Sequence, residues 1–120
     1  MIWLSTLIPR LKKELHKSNH HSHRLACAIV RKRRVVAVSH NMIKTSPRSS
    51  ARFNMLHAEI GALLKSGETE GCFAVVYRES KLGGSALAKP CGGCEMALRY
   101  AGLKGVFYST EKGWNFESYE

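Results

Sequence analysis

The sequence predicts an α/β domain of three layers, with a mixed sheet of about five strands between helices and elements in the order α-β-β-α-β-α-β-β. Three observations lead there. Apolar residues recur at helical spacing near the start of the chain, around residue 60 and around residue 96. Short apolar, partly β-branched runs lie between and after those segments, bounded by charged or glycine-bearing turns. A chain of 120 residues matches one such domain without a linker, so residues 1–120 read as a single unit.

Leu7, Ile8, Leu11 and Leu15 define the first helix, which is expected to run to about Lys17. Ser5 or Thr6 is its expected cap, because Pro9 is tolerable only in a first turn. Lys12, Lys13, His16 and Lys17 form a solvated face toward the C-terminal half, where positive charge suits the helix dipole. Asn19-His20-His21-Ser22-His23 reads as a hydrated loop and not as a metal site. Residues 25–30 and 35–38 form a hairpin of two central strands, split by Arg31-Lys32-Arg33-Arg34. Four consecutive cations at a hairpin tip either grip phosphate or keep the tip wet; phosphate contacts need clustered Lys and Arg, but the converse does not hold.

Ser39-His40-Asn41 closes the second strand and opens a loop over residues 42–53 that carries Lys44, Arg48 and Arg52. The second helix is expected to start after Asn54 and stop near Gly67, with Ile60, Leu63 and Leu64 as its buried stripe and His57 in its first turn. Residues 72–77 form the third strand, and Gly83-Gly84-Ser85 lie in the loop returning to Pro90. The third helix carries Cys91 and Cys94 in its first turn, offers Met96, Ala97, Leu98 and Tyr100 for packing, and stops at Gly102. Residues 106–109 form the fourth strand. Trp114, Phe116 and Tyr119 mark an antiparallel fifth, where alternating aromatics serve core or oligomer packing before base stacking.

Nineteen Lys plus Arg against nine Asp plus Glu give a formal charge of +10. Such a surplus favours an anionic partner, with a merely solvated basic surface as the alternative. Two of the four cysteines sit in a CxxC, while Cys27 and Cys72 lie in strand-like runs as small buried residues. This usage suits a reducing compartment, taken as the cytoplasm. No basic segment precedes the apolar residues at the start, Pro9-Arg10 interrupts them, and nothing is long enough to cross a membrane. The core of so short a chain is small, so a homo-oligomer is expected.

His57-Ala58-Glu59 and Pro90-Cys91-Gly92-Gly93-Cys94 carry the chemistry. One imidazole and two thiolates supply three zinc ligands, and a catalytic zinc keeps its fourth position for water. A structural site would need a fourth protein ligand, and no second CxxC-like spacing provides one. Glu59 is placed to take a proton from the activated water and return it to a leaving group. The positive ends of two helices and the metal charge are expected to favour thiolates and an ionised Glu59.

This HAE followed by PCxxC resembles the signature of the cytidine/deoxycytidylate deaminase superfamily, a pattern general to zinc deaminases. The order of elements matches over most of the chain, whereas residues 1–20 and the last ten match by position only. The resemblance implies Zn2+ held by His57, Cys91 and Cys94, Glu59 as the catalytic acid/base, and hydrolytic deamination of cytosine in a free cytidine or deoxycytidine nucleoside or nucleotide. It further implies that Asn41, after the second strand, hydrogen-bonds sugar or base, although turn chemistry alone also favours asparagine there. Free-nucleoside deaminases of this group typically show Asn-x-Glu, where this chain has Ile43. Sugar recognition must then differ, and Lys44 and Arg48 are placed to meet a phosphate instead. The antiparallel last strand resembles the cytidine deaminase branch. Deamination of cytosine or adenine in single-stranded DNA or RNA is the alternative, supported by the charge and opposed by the shortness of the chain. A catalytically inert binding module is opposed by the presence of Glu59.

Overall fold

The computed structural model describes residues 2–18, 24–43, 55–80 and 84–120. Lys44, Arg48, Arg52 and Asn54, together with His20, His21 and His23, lie outside the described residues.

Helix α1 (Ile2–Leu15) starts earlier than expected and contains Pro9 in its interior. A proline there removes one i to i−4 hydrogen bond and crowds a carbonyl, at about 3 kcal/mol. Leu4, Leu7, Leu11 and Leu15 are all buried along one stripe, and at roughly 2 kcal/mol each they outweigh that cost. Pro9 sits on the exposed side. The stripe packs on Ala26, Ala28, Val30, Val75, Tyr77 and Phe107, which form one face of the main sheet.

That sheet runs β2-β1-β5-β7-β8. Strands β1 (Arg24–Arg31) and β2 (Arg34–His40) form the expected antiparallel hairpin. Its two-residue turn, Lys32-Arg33, takes φ of 49° and 67°, the left-handed conformation that such turns usually give to Asn-Gly. Strand β1 is central, but β2 is an edge strand: its outward residues alternate with inward ones, so its short valine-rich run reflects a half-covered edge. Residues Met42–Ile43 (β3) and Met55–Leu56 (β4) pair as a small ribbon, where a loop was expected at 42–43 and the first turn of the second helix at 55–56. Strand β5 (Phe73–Glu79) pairs antiparallel with β1 and parallel with β7 (Gly105–Thr110). The short β6 (Ser85–Ala86) adds to β5, and β8 (Gly113–Ser118) lies antiparallel to β7 as expected.

Helices α2 (Ala58–Ser66) and α3 (Gly92–Tyr100) cover the other face, completing three layers. Helix α2 begins at Ala58 with His57 as its N-cap residue. Its buried residues are Ala58, Glu59, Gly61 and Ala62, whereas Leu64 is 77 % exposed. Small residues on the inner face let the helix backbone lie close to the sheet, which a leucine stripe would prevent. Helix α3 buries Cys94 and Leu98 but leaves Met96 and Tyr100 out, at 71 % and 96 % exposure. Cys27, Ile29, Ala74 and Val76 meet these helices, alternating with the residues that face α1, so β1 and β5 are apolar on both sides. Cys27 and Cys72 are free and buried, as expected. No described helix is long and apolar enough to cross a membrane.

Candidate active site

Two helix starts meet at one point. Cys91 is the N-cap residue of α3, with extended φ and ψ of −66° and 166°, and Cys94 follows three positions later. Side chains at N-cap and N3 converge on the same helix end, which is the geometry that lets a capping box close; the CxxC spacing therefore brings two thiols together. His57 caps α2 in the same way, at φ −74° and ψ 142°. Residues two apart within a helix diverge by about 200°. Because His57 stands before the first turn and Glu59 within it, both reach one cavity.

His57 Nδ1 lies 3.4 Å from Cys94 Sγ and 4.0 Å from Cys91 Sγ, and the three donor atoms fall within 4.8 Å of one another. A tetrahedral zinc with bonds of about 2.3 Å to sulfur and about 2.0 Å to nitrogen would separate its donors by roughly 3.5–3.8 Å. The group fits that ion, and the cofactor is Zn2+. Among the described residues no fourth His, Cys, Asp or Glu joins the group, which is the arrangement of a catalytic centre.

Glu59 is 4 % exposed. Burial raises its carboxyl above the ordinary value, against smaller opposing effects of its own backbone N–H, the His57 charge and the Cys94 thiol. Burial likewise pushes the Cys94 thiol well up, and the neighbouring Glu59 charge pushes it further. Against burial the helix ends do not suffice by themselves, so the expected thiolates and ionised Glu59 depend on the metal charge as well. A divalent cation removes both penalties at once.

A pocket of about 260 Å³ opens beside this group, lined by His57, Ala58, Glu59 and Cys91, by Leu25, Leu87 and Ala88, and by Asn41, Arg78 and Lys89. Asn41 is buried, and its Oδ1 accepts hydrogen bonds from the Leu25 N–H at 2.9 Å and the Ser18 hydroxyl at 2.7 Å. Its amide plane is thereby fixed in the wall. Ser109 fixes the opposite side: its hydroxyl donates to the Ala86 carbonyl at 2.7 Å and accepts the Arg78 N–H at 3.0 Å, while its carbonyl accepts the Ala88 N–H at 2.9 Å. These bonds hold the segment that leads into Cys91.

The structure thus brings together His57, Glu59, Cys91, Cys94 and Asn41. Sequence reasoning missed Leu25, Arg78, Leu87, Ala88 and Lys89. Ala88 and Lys89 directly precede Pro90, and that adjacency was an available signal. Arg78 follows an apolar strand run, a place where a cation needs a reason. Leu25 carries no such mark.

The family described as "cytidine and deoxycytidylate deaminase zinc-binding region" matches residues 1–110. Among solved structures, dCMP deaminase from the cyanophage S-TIM5 in apo form aligns with a TM-score of 0.67 and 21% identity, over 87% of this chain and 79% of that one. The same enzyme in complex with dCMP and dUMP gives 0.66 and 20%, over 87% and 78%. Acinetobacter baumannii RibD, form 2, gives 0.53 and 23%, over 89% of this chain but 27% of that one. At such identities the likeness is one of fold. No curated protein sequence matches the chain.

Proposed function

Since the chain belongs to the cytidine and deoxycytidylate deaminase family, we propose that it hydrolyses the amino group from the cytosine of a free cytidine or deoxycytidine nucleotide, giving the uracil product and ammonia. The observation that carries this reading is the convergence of His57, Cys91 and Cys94 beside the buried Glu59 in one pocket.

His57, Cys91 and Cys94 are the proposed ligands. Zinc, when bound, lowers the pKa of water toward 7 and so supplies hydroxide at neutral pH. In the proposed mechanism Glu59 carries the protons: its carboxylate takes one from water and passes it to the ring nitrogen, then takes the remaining proton from the added hydroxyl and delivers it to the departing amine. The C–O bond forms and the C–N bond breaks at the same ring carbon. A carboxyl whose burial raises its pKa toward the working pH is suited to both giving and taking. Leu25 and Ala88 provide apolar walls for the ring, and Asn41 is the proposed contact to sugar or base.

A nucleotide is preferred over a nucleoside because Arg78 and Lys89 line the pocket as cations, and because the cyanophage enzyme was crystallised with dCMP and dUMP. Arg78 is tethered through Nη1 to the Leu87 carbonyl at 3.3 Å, which aims it along the pocket wall. Lys44 and Arg48, outside the described residues, remain proposed phosphate contacts on the sequence alone. The outward Leu64 of α2 and Met96 and Tyr100 of α3 support self-association, which sedimentation would test. Four free thiols support a cytoplasmic setting.

Ammonia release by the zinc-loaded protein against cytidine, deoxycytidine, their monophosphates, the adenine counterparts and a cytosine-containing single strand tests the reading. Turnover of a cytosine monophosphate is expected. Turnover of the single strand alone, or of adenine substrates alone, would overturn it.

A further inference from the structure

The cations of α1 and of the hairpin tip are unused by the chemistry above. Arg10 and Lys13 follow one another at helical spacing on α1, and Lys17 lies in the turn just beyond its last residue, Leu15; the apolar stripe of α1 is already buried against the sheet. A depression of about 160 Å³ between α1 and the hairpin is lined by Thr6, Leu7, Arg10, Val30, Arg33 and Val35. A second, of about 560 Å³, is lined by Pro9, Arg10, Lys13, Glu14, Lys17 and Val38. Arg10 borders both, so the two depressions adjoin, running from the hairpin tip along the helix. None of these residues lines the catalytic pocket, which lies over the α2 and α3 face of the sheet.

Glu14 is the one carboxylate lining this groove, and it is engaged by His40 and by Lys17 at 3.3 Å. Among the described residues Arg10, Lys13 and Arg33 form no ion pair. The hairpin supplies an independent observation. Lys32 and Arg33 occupy left-handed φ values that cost about 1 kcal/mol or more for residues with a Cβ, in a turn that Asn-Gly would make without strain. Strain kept in order to present a cation indicates a use for the cation.

We propose that the groove between α1 and the β1–β2 hairpin, lined by Arg10, Lys13, Lys17 and Arg33, binds the phosphate backbone of a nucleic acid at a site separate from the catalytic pocket. A row of cations suits repeating phosphates, whereas a single phosphate needs convergent donors. The helix rise of 1.5 Å per residue sets Arg10 and Lys13 roughly 4.5 Å apart along the axis, of the order of the step between successive phosphates, about 3.4 Å along a strand. A membrane surface fits poorly, since a helix lying in an interface must offer its apolar face to lipid and the leucines of α1 are buried. Binding is then independent of sequence and compatible with an open pocket.

The test uses the zinc-loaded full chain and a labelled oligothymidylate of about 20 nucleotides, whose base lacks the exocyclic amine the pocket would process. With three or four phosphates engaged, the log–log dependence of affinity on salt should have a slope of about −2 to −3. Neutralising the row (Arg10→Gln, Lys13→Gln and Arg33→Gln together) should flatten the slope by about 2 and weaken binding at least about tenfold at low salt. Mononucleotide turnover should stay unchanged. Removing three cations elsewhere (Lys65→Gln, Lys104→Gln and Lys112→Gln) should leave the slope in place. The proposal fails if the wild type does not bind at about 50 mM salt, if both triple variants weaken binding equally, or if vesicles of phosphatidylserine and phosphatidylcholine bind more tightly than the oligonucleotide. Should the row variant not fold, Arg33→Gln alone must flatten the slope by about 0.7 or the proposal fails.

Discussion

Glu59→Gln separates proton transfer from metal binding. Glutamine has nearly the volume of glutamate and retains an acceptor oxygen, so the pocket between α2 and α3 should keep its shape. Glu59 is 4 % exposed, and no other described carboxylate lines the pocket to take over its protons. A positioned general acid or base contributes about 10²- to 10⁴-fold. Glu59 is assigned both a proton uptake and a delivery, so the loss should lie at the upper end, about 10⁴-fold in kcat. That corresponds to about 5.4 kcal/mol of transition-state stabilisation. Zinc content should remain near one per chain, because His57, Cys91 and Cys94 are untouched. Thermal stability should change little, since glutamine keeps the volume and an acceptor oxygen at the same place. The assay pairs ammonia release with metal analysis and thermal unfolding of the same preparation. Turnover near the wild-type rate with zinc bound would refute the assignment of Glu59 as proton carrier. Loss of zinc together with turnover would refute the division of labour between the three ligands and the carboxylate.

Chelation of zinc should expose one rapidly reacting thiol to an aromatic disulfide reagent, Cys91, because Cys27, Cys72 and Cys94 are buried; rapid titration of several thiols would contradict the packing around α3. Arg78→Ala should raise KM for the cytosine monophosphate about tenfold while leaving the nucleoside little changed, as paired steady-state measurements would show. Burial raises the Glu14 carboxyl, but hydrogen bonds from His40 and Lys17 overcome this and hold it below its ordinary 4.5. A depressed carboxyl contributes stability that is full above the unfolded value and lost as pH falls through the folded one. Glu14→Gln should accordingly cost about 2 kcal/mol near neutral pH, with the difference from wild type vanishing at acid pH in denaturant titrations.

The catalytic constellation was legible because its chemistry requires particular residues at particular spacings. Cys91 and Cys94 stand at N-cap and N3, positions that converge whatever surrounds them, and His57 with Glu59 uses a second helix start in the same way. Helix α2 was less legible. Leu64 looks like part of its buried side but is exposed; Leu63 does pack on the core, while Ala58, Gly61 and Ala62 are the small buried residues that bring the helix close to the sheet. Hydrophobicity alone does not reveal a demand for closeness. Pro9 misled for a related reason: a local penalty of about 3 kcal/mol is visible in the sequence, while the four buried leucines that overcome it depend on a sheet assembled later in the chain. The ribbons β3–β4 and β5–β6 involve strands of two residues, too short to show any period.

The same closeness bears on how metal and fold depend on each other. Packing Glu59 and Cys94 into the layer between helices and sheet places two groups that resist ionisation side by side. Without a cation, the Glu59 charge makes the Cys94 thiolate costlier still. With Zn2+ held by two thiolates and an imidazole, the positive charge offsets both, so binding free energy flows into the packing of α2 and α3 against β1 and β5. The exposed Cys91 and His57 complete the ligand set from the rim, where desolvation costs are small. One buried and two exposed donors therefore give a site that metal can enter from solvent and that tightens the core once it has done so.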